Sequence, residues 1–159
     1  MKMGILSIAE LFGGEVTIIK EQLPVKIQLE TQIEQDGQVE TFKFDEEGAL
    51  VDLGAKKYLR YKETKEQLKV PVTFSIAETG EVFLTRQGQT HLRLPFAKQK
   101  VLPTHYQTEY GLMKLDVKTT LLETAISFEN AEGKINVDYE LYAGNQLLGK
   151  YQIRLQFSA

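Results

Sequence analysis

PVKIQLETQIEQDG, residues 24–37, sets Val25, Ile27, Leu29, Thr31 and Ile33 on every second position, with Lys26, Gln28 and Glu30 between them, and breaks at Asp36-Gly37. A period of two is that of a pleated strand with one face in a core and the other in water. An Asp-Gly pair at its end supplies the positive φ angles that a tight hairpin turn requires. The same pattern runs on from there. Phe42 and Phe44 follow the turn, and Gly48, inside an otherwise extended run, is expected to mark a bulge where the strand bends. Leu59 and Tyr61, then Val70, Val72, Phe74 and Ile76, then Val82 and Leu84 repeat the alternation, with turns expected at Thr79-Gly80 and Gln87-Gly88-Gln89. Leu92, Leu94 and Phe96 alternate as far as Pro103. One long strand is expected over about 104–128, with Met113, Leu115, Val117, Thr119 and Leu121 on one face. Glu132-Gly133 and Gly144-Asn145 read as turns around Ile135, Val137, Tyr139 and Leu141, and Leu147, Tyr151, Ile153, Leu155 and Phe157 form a last strand.

About eight to ten strands joined by short connections pair in sequence order, as an up-and-down meander. A sheet that long leaves two hydrogen-bonding edges unless it curls round on itself. The expected fold is therefore all-β, a closed antiparallel barrel over residues 23–159, preceded by an arm over residues 1–22. Ser7 and Glu10 have capping-box spacing there, so the arm is read either as a short helix or as a strand-like segment with Val16, Ile18 and Ile19.

Composition removes several function classes. The 159 residues carry no cysteine, which excludes disulfides, thiolate nucleophiles and zinc–thiolate sites. The formal charge of -3 supplies no global positive field for nucleic acid or anionic lipid. Glu10 interrupts the first apolar run, and no stretch reaches the roughly 18 apolar residues of a spanning helix, so the expected setting is cytoplasmic with no membrane partner. His91 and His105 lack acidic neighbours at ligand spacing, none of Ser7, Ser75, Ser127 and Ser158 lies in a Gly-x-Ser-x-Gly elbow, and Asp45, Glu46 and Glu47 alternate faces rather than converge. No cofactor, metal site or catalytic constellation is implied, and monomer and homodimer both stay open.

Two binding chemistries are legible. Arg86 follows Val82 and Leu84 at period two, so a guanidinium faces the barrel interior and must be paired. Tyr106, Thr108 and Tyr110 on the next long strand, or Tyr139 on a later one, are its expected partners. With Tyr61, the candidate ligand-binding set is Arg86, Tyr106, Thr108, Tyr139 and Tyr61, suited to a small amphipathic or anionic molecule. The plain alternative is an internal polar network that fixes strand register. The second chemistry lies at 56–69, where Lys56, Lys57, Arg60, Lys62, Lys65 and Lys69 interleave with Tyr58 and Tyr61, as on surfaces that bind single-stranded nucleic acid or a protein partner. Glu63 and Glu66 dilute that charge.

Several segments together resemble the YwiB-like β-barrel proteins, a domain-of-unknown-function family of low-GC Gram-positive bacteria. They are Ile33–Gly37 leading to Phe42 and Phe44, Tyr58–Glu63, Gly80–Leu84 with Arg86-Gln87-Gly88, Tyr106-x-Thr108-x-x-Gly111, Thr119, and Gly133-Lys134-Ile135 before Tyr139. The resemblance covers most of residues 24–157. It implies a calycin-like (lipocalin-like) closed barrel and a bacterial cytoplasmic setting, and it implies no activity.

Overall fold

The computed structural model describes residues 21–65, 67–88 and 90–159, so the expected arm over 1–22 lies almost wholly outside it. Ten antiparallel strands follow one another: β1 (Glu21–Gln35), β2 (Gln38–Asp52), β3 (Lys56–Lys65), β4 (Leu68–Ala77), β5 (Val82–Gln87), β6 (His91–Phe96), β7 (Val101–Thr108), β8 (Gly111–Ser127), β9 (Glu132–Ala143) and β10 (Gln146–Ser158). They make one sheet in the order β6-β5-β4-β3-β2-β1-β10-β9-β8-β7. The closing contact is β1 against β10, in unbroken register from Lys26↔Ser158 to Glu34↔Lys150.

The barrel is nearly closed rather than fully closed. β6 and β7 are consecutive in the chain and stand at the two ends of the sheet order, without a ladder between them. Side chains and a turn bridge this seam instead: Thr104 Oγ1 donates to the Arg93 carbonyl, Thr90 Oγ1 lies 3.3 Å from Tyr106 Oη, and the Lys100 amide donates to Ala97 O at 3.2 Å in the turn that joins the two strands. Proline explains the missing ladder, because it has no N–H to give. Pro95 pairs only with Phe83 and Pro103 only with Asp116, each on the side away from the seam. Pro24 and Pro71 obey the same rule, opposite Ala49 and Lys62 at strand positions where the other neighbour has not yet begun to pair. All four prolines of the chain thus sit where only one side of the strand is laddered.

The expected long strand over 104–128 divides into β7 and β8. A hairpin at Glu109-Tyr110 separates them, and Gly111 takes φ 120°. A second unexpected turn, at Ala97–Lys100 with Gln99 at φ 56°, ends β6. The expected turn at Glu132-Gly133 is also displaced. The chain reverses at 128–131, with Ala131 at φ 50°, and Gly133 lies within β9, where a Cβ would come 2.8 Å from the Phe157 ring. On β8 the register shifts between Thr119 and Leu121, so Leu122 rather than Leu121 turns into the core. The expected bulge at Gly48 is absent, since β1 and β2 pair continuously through Val25↔Gly48.

Gly48 matters for a different reason. Its backbone presses against the neighbouring strands, and a Cβ there would collide with the Arg60 carbonyl and sit 2.7 Å from Ile27 Cδ1. It is also the last residue of the β2–β3 ladder on this side: beyond Gly48↔Tyr61, β2 runs with β1 alone. The inner face is filled by Phe74, Phe96, Ile27, Leu50, Leu59, Leu94, Ile135 and Leu155, all almost fully buried. Truncating either phenylalanine to alanine would cost about 3–5 kcal/mol. Gly48→Ala is expected to destabilise by about 2–3 kcal/mol through overpacking against strand backbone; an unchanged urea midpoint would show that β2 can leave β3 without the close approach.

Candidate functional site

In an up-and-down barrel every connection from an odd to an even strand lies at the same end. That end carries the β1/β2, β3/β4, β5/β6, β7/β8 and β9/β10 hairpins. Eight large apolar side chains are exposed among the described residues. Val39, Phe42, Leu68, Tyr110, Leu112, Met113 and Leu147 are all at the hairpin end, and only Val101 is at the other. Register separates them further. Phe42 lies opposite Thr31, Leu68 opposite Lys65 and Met113 opposite Tyr106, each continuing the inward row of its strand. They rim the mouth of the barrel, while the apolar residues deeper along the same rows are buried.

Charge sits below that rim. Arg86 is the last inward residue of β5, opposite Val72, and Glu63 on β3 is opposite Val70, so the two reach each other diagonally over β4. Arg86 Nη2 donates to Glu63 Oε1 at 3.0 Å, with the Glu63 side chain 4% exposed and that of Arg86 37%. The expected partners of Arg86 were tyrosines and a threonine; its partner is a carboxylate. Glu63 is the next inward position of β3 after Leu59 and Tyr61, so its inward placement follows from the alternation although its charge sits within the basic run.

Of the five candidate residues, Arg86, Tyr61 and Tyr139 come together. Burial raises the Tyr61 hydroxyl well above the ordinary phenol range; Glu63 adds to the shift, Arg86 opposes it and Glu46 adds again. Tyr139 is raised in the same direction, by burial first and then by Tyr151, with Arg86 again opposing. Tyr139 stacks on Tyr151 with ring centroids 4.9 Å apart and meets Phe96 at 4.8 Å, and Gln35 Nε2 donates to Tyr151 Oη at 3.0 Å. Thr119, paired with Tyr139, has a buried Oγ1 with no hydrogen-bond partner among the described residues.

Tyr106 and Thr108 are not part of this group. Tyr106 bonds Thr90 across the seam. Thr108 Oγ1 donates to Gly111 O at 2.9 Å and accepts from the Tyr110 amide at 3.1 Å, closing the hairpin. Tyr110 lies in that turn, 92% exposed, and shares no face with the others.

The basic segment is also divided by the alternation of β3. Tyr61 turns inward while Arg60 and Lys62 turn outward, and all three line a groove of about 790 Å³ that opens where β2 leaves β3. Asp45, Glu46 and Glu47 line the same groove, opposite Arg60, Lys62 and Lys69. A polyanion there would meet carboxylates as well as cations, and one of the two tyrosines counted as a stacking platform is inside the barrel. Among the described residues no group of three or more His, Asp or Glu side chains is placed to hold a metal.

A family model described as "Domain of unknown function (DUF1934)" matches residues 27–155, from the middle of β1 to near the end of β10. The chain belongs to that family. A curated relative, the uncharacterized beta-barrel protein YwiB of Bacillus subtilis (strain 168), is 25% identical over 128 residues, spanning 80% of this chain and 88% of the relative. The crystal structure of the ywiB protein from Bacillus subtilis superposes with a TM-score of 0.75 at 23% identity, covering 89% of this chain and 94% of that one. The likeness establishes the barrel, and neither description carries an activity or a ligand.

Removing Arg86 alone strands the buried Glu63 carboxylate. Arg86→Met is expected to cost about 2–4 kcal/mol, less than a fully buried pair because the guanidinium is partly exposed. The double variant Glu63→Leu/Arg86→Met should recover most of that loss in urea unfolding; equal losses in both would mean that the pair is not coupled. The tyrosines set a second expectation. Above about pH 10 the unfolded chain releases a phenolic proton that the folded chain still binds, so stability falls as pH rises, by up to about 1.4 kcal/mol per unit for each buried tyrosine. Tyr139→Phe should flatten that alkaline slope, as measured by urea midpoints from about pH 9 to about pH 11.

Proposed function

We propose that the barrel binds a small amphipathic molecule at its hairpin end. The observation that carries this reading is the segregation of exposed apolar side chains to one end, with Phe42, Leu68 and Met113 on inward rows around a mouth whose floor is polar. An apolar patch rimming a concave site is costly to leave in water and is the usual mark of a ligand or partner surface. The ligand's apolar body lies against the rim and its polar group reaches Arg86, Glu63 and the tyrosine hydroxyls. Aromatic and aliphatic side chains fill the lumen below, which places the ligand in the mouth and not along the barrel axis. The anionic option weakens, because Glu63 already neutralises Arg86. Nothing in the surface charge favours nucleic acid.

The neutral probe N-phenyl-1-naphthylamine tests this directly. Its fluorescence should rise on adding the folded protein, and Met113→Glu or Leu68→Glu should reduce that rise severalfold. Val101→Glu at the opposite end should leave it intact. A response absent from the unsubstituted protein, or equally sensitive to Val101→Glu, would remove the ligand site from this end.

A further inference from the structure

We infer, independently of the ligand reading, that the open flank of β2 is a docking edge for an extended peptide, which adds to the wall as a strand. β2 pairs with β1 over its whole length and with β3 only from Gly48 to Asp52. Beyond Gly48↔Tyr61 the strands part: Gln38–Glu47 runs with β1 alone and Lys62–Lys65 with β4 alone. The β1/β2 turn fixes which backbone groups this leaves over. Asp36 and Gly37 both take positive φ in a two-residue loop, so Gln35 and Gln38 form a hydrogen-bonded pair and the even residues of β2 bond β1. The N–H and C=O groups of Val39, Thr41, Lys43, Asp45 and Glu47 therefore point away from β1, and no strand receives them among the described residues. Across the gap, Lys62 and Thr64 continue the alternate set of β3 that faces β2, so their backbone groups face the same opening. A side chain stands in for the ladder there, with the Thr64 amide donating to Glu46 Oε1 at 3.4 Å.

The space between the parting strands is the groove of about 790 Å³, within the range of binding sites. Its walls differ in sign, Asp45 and Glu47 on β2 against Arg60 and Lys62 on β3, so it suits a chain that carries both charges and not a bare ion. The alternation of β2 sets the side chains of the incoming strand. Residues on its inner face meet Phe42, Phe44 and Tyr61, and those on its outer face meet the charged walls. The partner is therefore an extended peptide with apolar residues at every second position and charged or polar ones between. Backbone bonds to the edge supply its affinity, and the alternation supplies selectivity. β3 and β4 stand on the far side of the opening, which admits one extended chain and not the wall of a second barrel.

The probe is a capped heptapeptide, Thr-Val-Lys-Val-Glu-Val-Thr, titrated into the full chain by calorimetry and followed by hydrogen exchange. It should bind. Its analogue N-methylated at Lys and Glu, whose amides face β2 in an antiparallel pairing, should bind about tenfold more weakly through two lost backbone hydrogen bonds. In the free protein the amides of Lys43, Asp45 and Glu47 should exchange faster than those of Phe42, Phe44 and Glu46, and the peptide should slow them. Asp45→Pro removes a donor on the open side without touching a bond to β1, and it should weaken the peptide severalfold. The comparison with the N-methylated analogue needs no variant. Absence of binding, equal binding by the N-methylated analogue, or slow exchange at Lys43, Asp45 and Glu47 before peptide is added overturns the inference. In the last case, slowing that grows with protein concentration gives the edge to a second copy, and slowing independent of concentration gives it to another part of this chain.

Discussion

The antiparallel register of β1 against β10 is the constraint on which the rest of the structure depends. Without it the chain would be two meanders, one of six strands and one of four, each with a naked inner face. With it, Ile27, Leu29 and Thr31 face Phe157, Leu155 and Ile153 across the closing ladder, and the two inner faces become a common core. The paired residues are more than a hundred positions apart in sequence, so the entropy of closing the chain falls on this step, and the apolar burial that follows offsets it. The polar floor of the mouth needs the same closure. Arg86 and Glu63 belong to the six-strand meander and Tyr139 to the four-strand one, and they come within electrostatic reach only once the barrel is joined.

Much of this was readable in the sequence, because a period of two is a strong signal and a one-residue slip would reverse every side chain. Val82, Leu84 and Arg86 point inward as their spacing demanded, and Asp36-Gly37, Thr79-Gly80 and Gly144-Asn145 turn the chain where positive φ is needed. The failures have a physical pattern. At Ala97–Lys100 and at 128–131, Gln99 and Ala131 take positive φ although they are not glycine, so no local residue type announced the turn. The bulge at Thr119 to Leu121 was invisible because β-branched and aliphatic residues on either side fit both faces equally well. Proline carries a signal that hydrophobic periodicity lacks. All four mark one-sided pairing, and Pro95 and Pro103 together locate the seam.

The candidate site was half legible. Periodicity located the cation, but the identity of its partner depended on which carboxylate of a charged run turned inward, and charge summed along a segment conceals that alternation. Lys62, Glu63 and Thr64 are neighbours in sequence and occupy different worlds: Glu63 lies inside the barrel, while Lys62 and Thr64 line the outer groove. The same alternation turns Arg60 and Tyr61 to opposite faces of β3, so the basic and aromatic side chains of 56–69 do not form a single face.

In most domains, loosening begins at the chain ends, whose strands or helices peel away residue by residue. Here the first and last described strands lie in the middle of the sheet, each held along most of its length on both flanks, and the two free edges are internal strands tied together by a short turn. Fraying from β1 or β10 is therefore suppressed. The least cross-linked line of the wall is where β6 abuts β7, joined by the Ala97–Lys100 turn at one end and by side-chain bonds rather than a ladder along the rest.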